Sequence, residues 1–90
     1  MDILYVAATI KIMPKDTDID FEKLKADIRA AVPEGAKLQG FAEEPIAFGL
    51  KALIAAIIVK DEEGGTERAE ESFAKVHGVE SVQVIELSRI

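Results

Sequence analysis

Ninety residues, 49% of them hydrophobic, suffice for one small domain with a core of its own and fall short of two, so a single domain is expected over residues 1–90. Seventeen Asp and Glu against eleven Lys and Arg leave a net charge of -6, which repels the phosphate backbone that drives nonspecific nucleic-acid binding and favours a partner with a basic surface. With no Cys, one His and no Asn, thiolate catalysis, disulfides and Cys-ligated metal centres are excluded and the stock of catalytic side chains is thin.

From Ile3 to Met13 the apolar residues alternate as Leu4, Val6, Ala8, Ile10 and Ile12, the period of a strand with one face on a core. Ile3, Tyr5, Ala7, Thr9 and Lys11 then belong to the other face, and Pro14 ends the strand. Asp18 or Asp20 can cap a helix whose Phe21, Leu24, Ile28 and Val32 recur at helical spacing and which Pro33 and Gly35 terminate. A weaker strand is expected over Ala36 to Ala42, followed by a connecting loop through Glu43-Glu44-Pro45-Ile46-Ala47-Phe48-Gly49. Leu50 to Lys60 is apolar on both parities and reads as a central strand. Asp61-Glu62-Glu63-Gly64-Gly65 reads as a turn, and Thr66 as the cap of a helix from Glu67 to about Val76 with Ala69, Phe73 and Val76 on one face. Val79 to Leu87 is rich in β-branched residues, but its apolar parity changes between Val84 and Ile85, which a bulge near Val84 reconciles. The order βαββαβ is that of the ferredoxin-like class, α+β: a four-stranded antiparallel sheet with two helices on one face.

No segment satisfies the pattern of a leader or a membrane span. Asp2 follows Met1 at once, with no basic region ahead of the first apolar run. The run from Ala52 to Val59 is eight residues long, less than half of the roughly 20 that cross a bilayer. The chain is therefore expected to be soluble and cytoplasmic, away from membranes.

The candidate chemistry is sparse. Glu43 and Glu44 could form an acid/base pair, but neighbours on a strand point to opposite faces and need a loop to converge. Asp61-Glu62-Glu63 lacks the spaced oxygen ligands of a calcium loop, and Gly64-Gly65 lacks the Lys-Ser or Lys-Thr of a phosphate cradle. His77, alone of its kind, cannot anchor a zinc site. An RNA-recognition surface would need aromatics on the open sheet face, where the first strand offers Tyr5 alone. An RNA-binding module and a small-ligand regulatory domain of this fold remain the alternatives to a protein-binding one. Phe48 stands out as an aromatic in a strand connection, where it either packs back or inserts into a partner.

Glu43-Glu44-Pro45-Ile46-Ala47-Phe48-Gly49-Leu50-Lys51-Ala52-Leu53 resembles the most distinctive stretch of the translation elongation factor 1-beta family in its short archaeal form. Lys11-Ile12-Met13-Pro14, Asp61 to Thr66 and Val79-Glu80-Ser81-Val82 match the other blocks in order, so the resemblance covers essentially the whole chain. It implies a guanine-nucleotide exchange domain that binds elongation factor 1-alpha and speeds GDP release so that GTP loads, without a cofactor, without covalent chemistry and without direct nucleic-acid contact. It implies a form without the N-terminal assembly region of eukaryotic relatives. It places Phe48 in an apolar pocket of the GTPase, with Pro45, Ile46, Gly49 and Lys51 beside it, and sets Arg89 and Ile90 near the GTPase's magnesium site. Eukaryotic members carry Lys at the penultimate position; here Arg89 offers a planar, always-charged fork in place of a compact ammonium.

Overall fold

In the computed structural model, which describes residues 4–60 and 64–90, strand β1 (Tyr5–Pro14) buries Ala8, Ile10 and Ile12 and half-buries Val6, as its alternation requires. Met1 to Ile3 and the acidic run Asp61-Glu62-Glu63 lie outside the described residues. Asp20 caps helix α1 (Phe21–Ala31), its carboxylate accepting from the amides of Glu22 at 3.0 Å and Lys23 at 3.3 Å. Leu24 and Ile28 are the buried stripe of that helix, flanked by the partly buried Phe21 and Val32.

Strand β2 (Ala36–Ala47) runs five residues past the expected Ala42, absorbing most of the expected loop. Pro45 is tolerated there because β2 is an edge strand and Ile46 is bulged out of register, so the missing amide costs no central ladder bond. Strand β3 (Leu50–Lys60) follows as expected. Helix α2 (Gly65–Ala74) begins before the expected Glu67, with Gly64 instead of Thr66 at its N-cap. Close packing favours this start: a Cβ on Gly65 would meet the Lys60 carbonyl oxygen at 3.0 Å, so glycine lets the helix begin against the end of β3 without pushing that backbone aside.

Strand β4 (Val79–Arg89) runs two residues past the expected Leu87. Its pairing to β1 slips between Thr9↔Glu86 and Ile10↔Val84, leaving Ile85 as the extra residue of the expected bulge. The sheet order is β2-β3-β1-β4 with every neighbouring pair antiparallel, the ferredoxin-like arrangement. Both helices pack on the face that carries Ile10, Ile12, Leu53, Ala55 and Ile57, where Ala69 and Phe73 of α2 complete the core. Ser72 Oγ donates to the Ala31 carbonyl and ties the helices together. The other sheet face is left open, with Tyr5, Ala7, Thr9 and Lys11 of β1 beside the half-buried Ile54, Ala56 and Ile58 of β3. Among the described residues no helix is long and apolar enough to cross a membrane.

Candidate partner-binding site

The β2–β3 hairpin projects beyond the rest of the sheet. The last β1–β3 pair is Ile12↔Leu53, after which Glu44, Pro45 and Ala47 pair only with Ala52, Lys51 and Leu50. Ala47 and Leu50 close on a two-residue turn in which Phe48 has φ 53° and Gly49 φ 79°. Positive φ at both central residues is the signature of a type I′ turn, which strongly prefers Asn-Gly. Phe48 is the one non-glycine residue with positive φ among the described residues, and for a side chain this bulky that conformation costs about 1 kcal/mol or more. The residue is 101% exposed, so no packing offsets the strain.

Below the tip the hairpin is held by charge. Glu43 faces the helices and accepts from Lys25 of α1 and from Lys51 of β3, each at 2.9 Å. Lys25 also meets Glu22 at 3.2 Å, and the Lys51 ammonium lies 5.0 Å from the centre of the Phe21 ring. Glu44 points to the opposite face, where Lys11 is 4.0 Å away. The two neighbouring carboxylates therefore diverge and form no acid/base pair.

The Lys25 ammonium first, then that of Lys51, holds the Glu43 carboxyl down from 4.5 to about 2 against the opposing effect of burial. Glu43 in turn, with Glu22, raises Lys25. A carboxyl depressed on folding contributes stability that is complete above its unfolded pKa and is lost as pH falls through the folded one. The clamp should thus be intact above pH 4.5 and open as pH approaches about 2. Carbon-detected NMR of the Glu43 side chain is expected to give a midpoint near 2; a midpoint at 4.5 would show that the clamp does not form.

Arg89 and Ile90 stand at the other end of the molecule. Arg89 pairs with Val6 in the β1–β4 ladder, and the Ile90 amide donates to the Tyr5 carbonyl at 3.1 Å. Strand β4 therefore runs through Arg89, with Ile90 tied to β1 by one further backbone bond, contrary to the expectation that the last strand stops at Leu87. Around it sit the exposed apolar side chains of Leu4, Tyr5, Leu87 and Ile90. Tyr5 is opposite Lys60, at the far end of β3 from the turn, and eleven extended residues separate the two ends by about 35 Å. The long axis of the molecule measures 48 Å.

The structure thus gathers Pro45, Ile46, Phe48, Gly49 and Lys51 at one end and Arg89 and Ile90 at the other. Pro45, Ile46 and Phe48 are exposed, while Lys51 spends its charge on Glu43 and the Phe21 ring. Sequence reasoning missed Lys25, whose role depends on a helix packing against a distant hairpin. It also read the turn as a longer loop, although Phe-Gly where Asn-Gly belongs was the available signal. Asp18, Asp20, Asp27 and His77 line an open cleft of about 250 Å³ beside α1. Among the described residues no group of His, Cys, Asp or Glu could hold a metal ion.

The sequence profile of the EF-1 guanine nucleotide exchange domain matches residues 7–90. Elongation factor 1-beta of Methanosarcina barkeri is 63% identical over 86 residues, covering 94% of this chain and 97% of its own. The Methanothermobacter thermautotrophicus protein of that name is 49% identical over 85 residues, covering 94% and 96%, and that of Halobacterium salinarum is 47% identical over 85 residues, covering 94% and 97%. Among solved structures, the C-terminal domain of the MgtC protein from Mycobacterium tuberculosis superposes with a TM-score of 0.61 over 97% of this chain and 88% of that one, at 16% identity. That likeness concerns the fold alone. Matched by the profile over nearly its whole length and by archaeal relatives at up to 63% identity, the chain belongs to the elongation factor 1-beta family of guanine-nucleotide exchange factors.

Proposed function

We propose that the chain promotes GDP release and GTP loading on elongation factor 1-alpha by holding it at two points, the Phe48 tip and the Arg89–Ile90 end, with no covalent chemistry. The observation that carries this reading is Phe48 itself: a fully exposed aromatic in a strained turn costs the free protein stability and gains it nothing. Such strain persists where a partner repays it. Pro45 and Ile46 extend the apolar surface of the tip, and Gly49 permits the turn. Lys51 holds the hairpin from which they project.

The distance between the two ends lets one partner be strained. A GTPase gripped by its separate parts about 35 Å apart can be held in a geometry that fits the factor and misfits GDP with its magnesium ion. The factor then binds the nucleotide-free state more tightly than the GDP-bound one, and by linkage nucleotide weakens the factor by the same ratio. A thousandfold faster release requires about 4 kcal/mol off the dissociation barrier, within reach of one buried aromatic anchor and the loss of ion and phosphate contacts. Proton transfer and a nucleophile have no part in it, which agrees with a chain poor in catalytic groups. It acts as a single cytoplasmic domain that binds neither nucleic acid nor membrane.

Release of a fluorescent GDP analogue from elongation factor 1-alpha tests the proposal. Substoichiometric amounts of the protein should accelerate release, and an unchanged rate at micromolar concentration would overturn the assignment. Because Arg89 pairs with Val6 in the ladder and the Ile90 amide bonds to Tyr5, the two are better replaced than deleted. The double variant Arg89→Ala, Ile90→Ala is expected to remain folded and to lower the rate at saturation more than it weakens association.

A further inference from the structure

We infer that Glu43 is a positioning residue for exchange, acting through Phe48: it braces the projecting hairpin against helix α1 and so fixes the direction in which the aromatic is presented. This inference rests on the exchange reading above.

Beyond Ile12↔Leu53 the hairpin has no third strand. A two-stranded ribbon is marginally stable by itself and twists more freely than a sheet. A small change of direction at its base displaces a tip several residues away by ångströms, enough to misplace an anchor aimed at a pocket. Glu43 sits at the pivot, opposite Leu53, the last β3 residue held by β1.

From that point its carboxylate reaches outward to Lys51 on the hairpin and across to Lys25 on α1, each at 2.9 Å. Lys51 makes a second link to the same helix through the Phe21 ring at 5.0 Å. Two independent attachments to one rigid element restrain rotation as well as translation. On the opposite face Lys11 and Glu44, at 4.0 Å, make a looser tie. The Lys25 and Glu43 side chains are partly covered, at 25% and 34% exposure, yet still open enough to water for the pair to contribute only modestly to overall stability, so the brace acts on the direction of the tip more than on melting.

GDP release is measured against factor concentration for the wild type, Glu43→Gln, Phe48→Asn and the double variant. Glu43→Gln is expected to raise the half-saturating concentration by roughly three- to tenfold while leaving the saturated rate and the melting temperature near wild type. In the Phe48→Asn background the same replacement should add almost nothing, because its effect passes through the ring that is gone. A Glu43→Gln variant with wild-type half-saturation, or full additivity in the double variant, would overturn the inference. Lys25→Gln should reproduce Glu43→Gln; loss of the fold in both would make the clamp a stability element and also overturn it. If the wild type itself fails to accelerate release, the exchange reading fails, and the brace is judged by residual dipolar couplings of hairpin amides relative to α1. Those couplings should change on Glu43→Gln, and unchanged values would refute the brace.

Discussion

Replacing Phe48 by Asn is expected to leave the protein at least as stable as the wild type while weakening its association with the GTPase by twentyfold or more. The two halves of that expectation have separate physical origins. Phe48 is at φ 53° with Gly49 at φ 79°, and Asn-Gly is the preferred occupant of such a turn because Asn adopts the left-handed conformation at low cost. Removing the strain should therefore raise the melting temperature slightly. The ring itself is fully exposed, so no core contact is lost with it.

In association the ring would become a buried aromatic anchor, whose loss typically costs about 2 kcal/mol or more, and this converts to at least a twentyfold or so change in affinity. Thermal unfolding and half-saturation of GDP release, measured on one variant, separate the possibilities. A destabilised variant with normal exchange per folded molecule would identify Phe48 as a structural residue and remove the observation on which the proposed function rests.

Phe73→Ala is expected to act in the opposite sense, with a large loss of stability and exchange reduced only in proportion to unfolding. Phe73 is 0% exposed and is among the largest fully buried side chains, packed from α2 into the cluster that contains Ile10, Ile12, Leu53 and Ile57. Truncating a buried Phe to Ala costs roughly 3–5 kcal/mol, the lost transfer free energy plus that of the cavity left behind. A domain of this size has only about 5–15 kcal/mol in total, so the melting temperature should fall on the order of 20 °C. Differential scanning calorimetry measures this directly. A melting temperature within a few degrees of wild type would mean that the helix face is repacked in solution.

The contrast between the two phenylalanines shows how far the chain sequence reaches. Phe73 was assignable from helical spacing alone, because Ala69 and Phe73 lie four residues apart and any helix there must turn them to one side. Alternation in β1 likewise identifies its core face, and the change of apolar parity after Val84 is reconciled by a bulge, found at Ile85. These are local consequences of backbone period. The length of β2 was not legible in the same way: Pro45 reads as a strand breaker until β2 is known to be an edge strand with Ile46 bulged beside it. The start of α2 differs from its sequence signal for a related reason, since the advantage of glycine at position 65 comes from the close approach of Lys60, a contact between chain segments.

For the functional site the division is sharper. Residue types and their order along the chain determined which side chains are available, that catalytic chemistry is sparse, and that an unusual Phe-Gly pair joins two strands. Tertiary structure alone decided that Glu43 and Glu44 diverge and that Lys25 reaches across from α1 to brace the hairpin. It also decided that Phe48 and Arg89 stand at opposite ends of a 48 Å molecule. Backbone periodicity acts over a few residues and is written in the sequence directly, whereas the direction of a hairpin and the distance between its tip and the chain's end depend on which strands pair and in what register, and that is settled only when the whole sheet closes on its core.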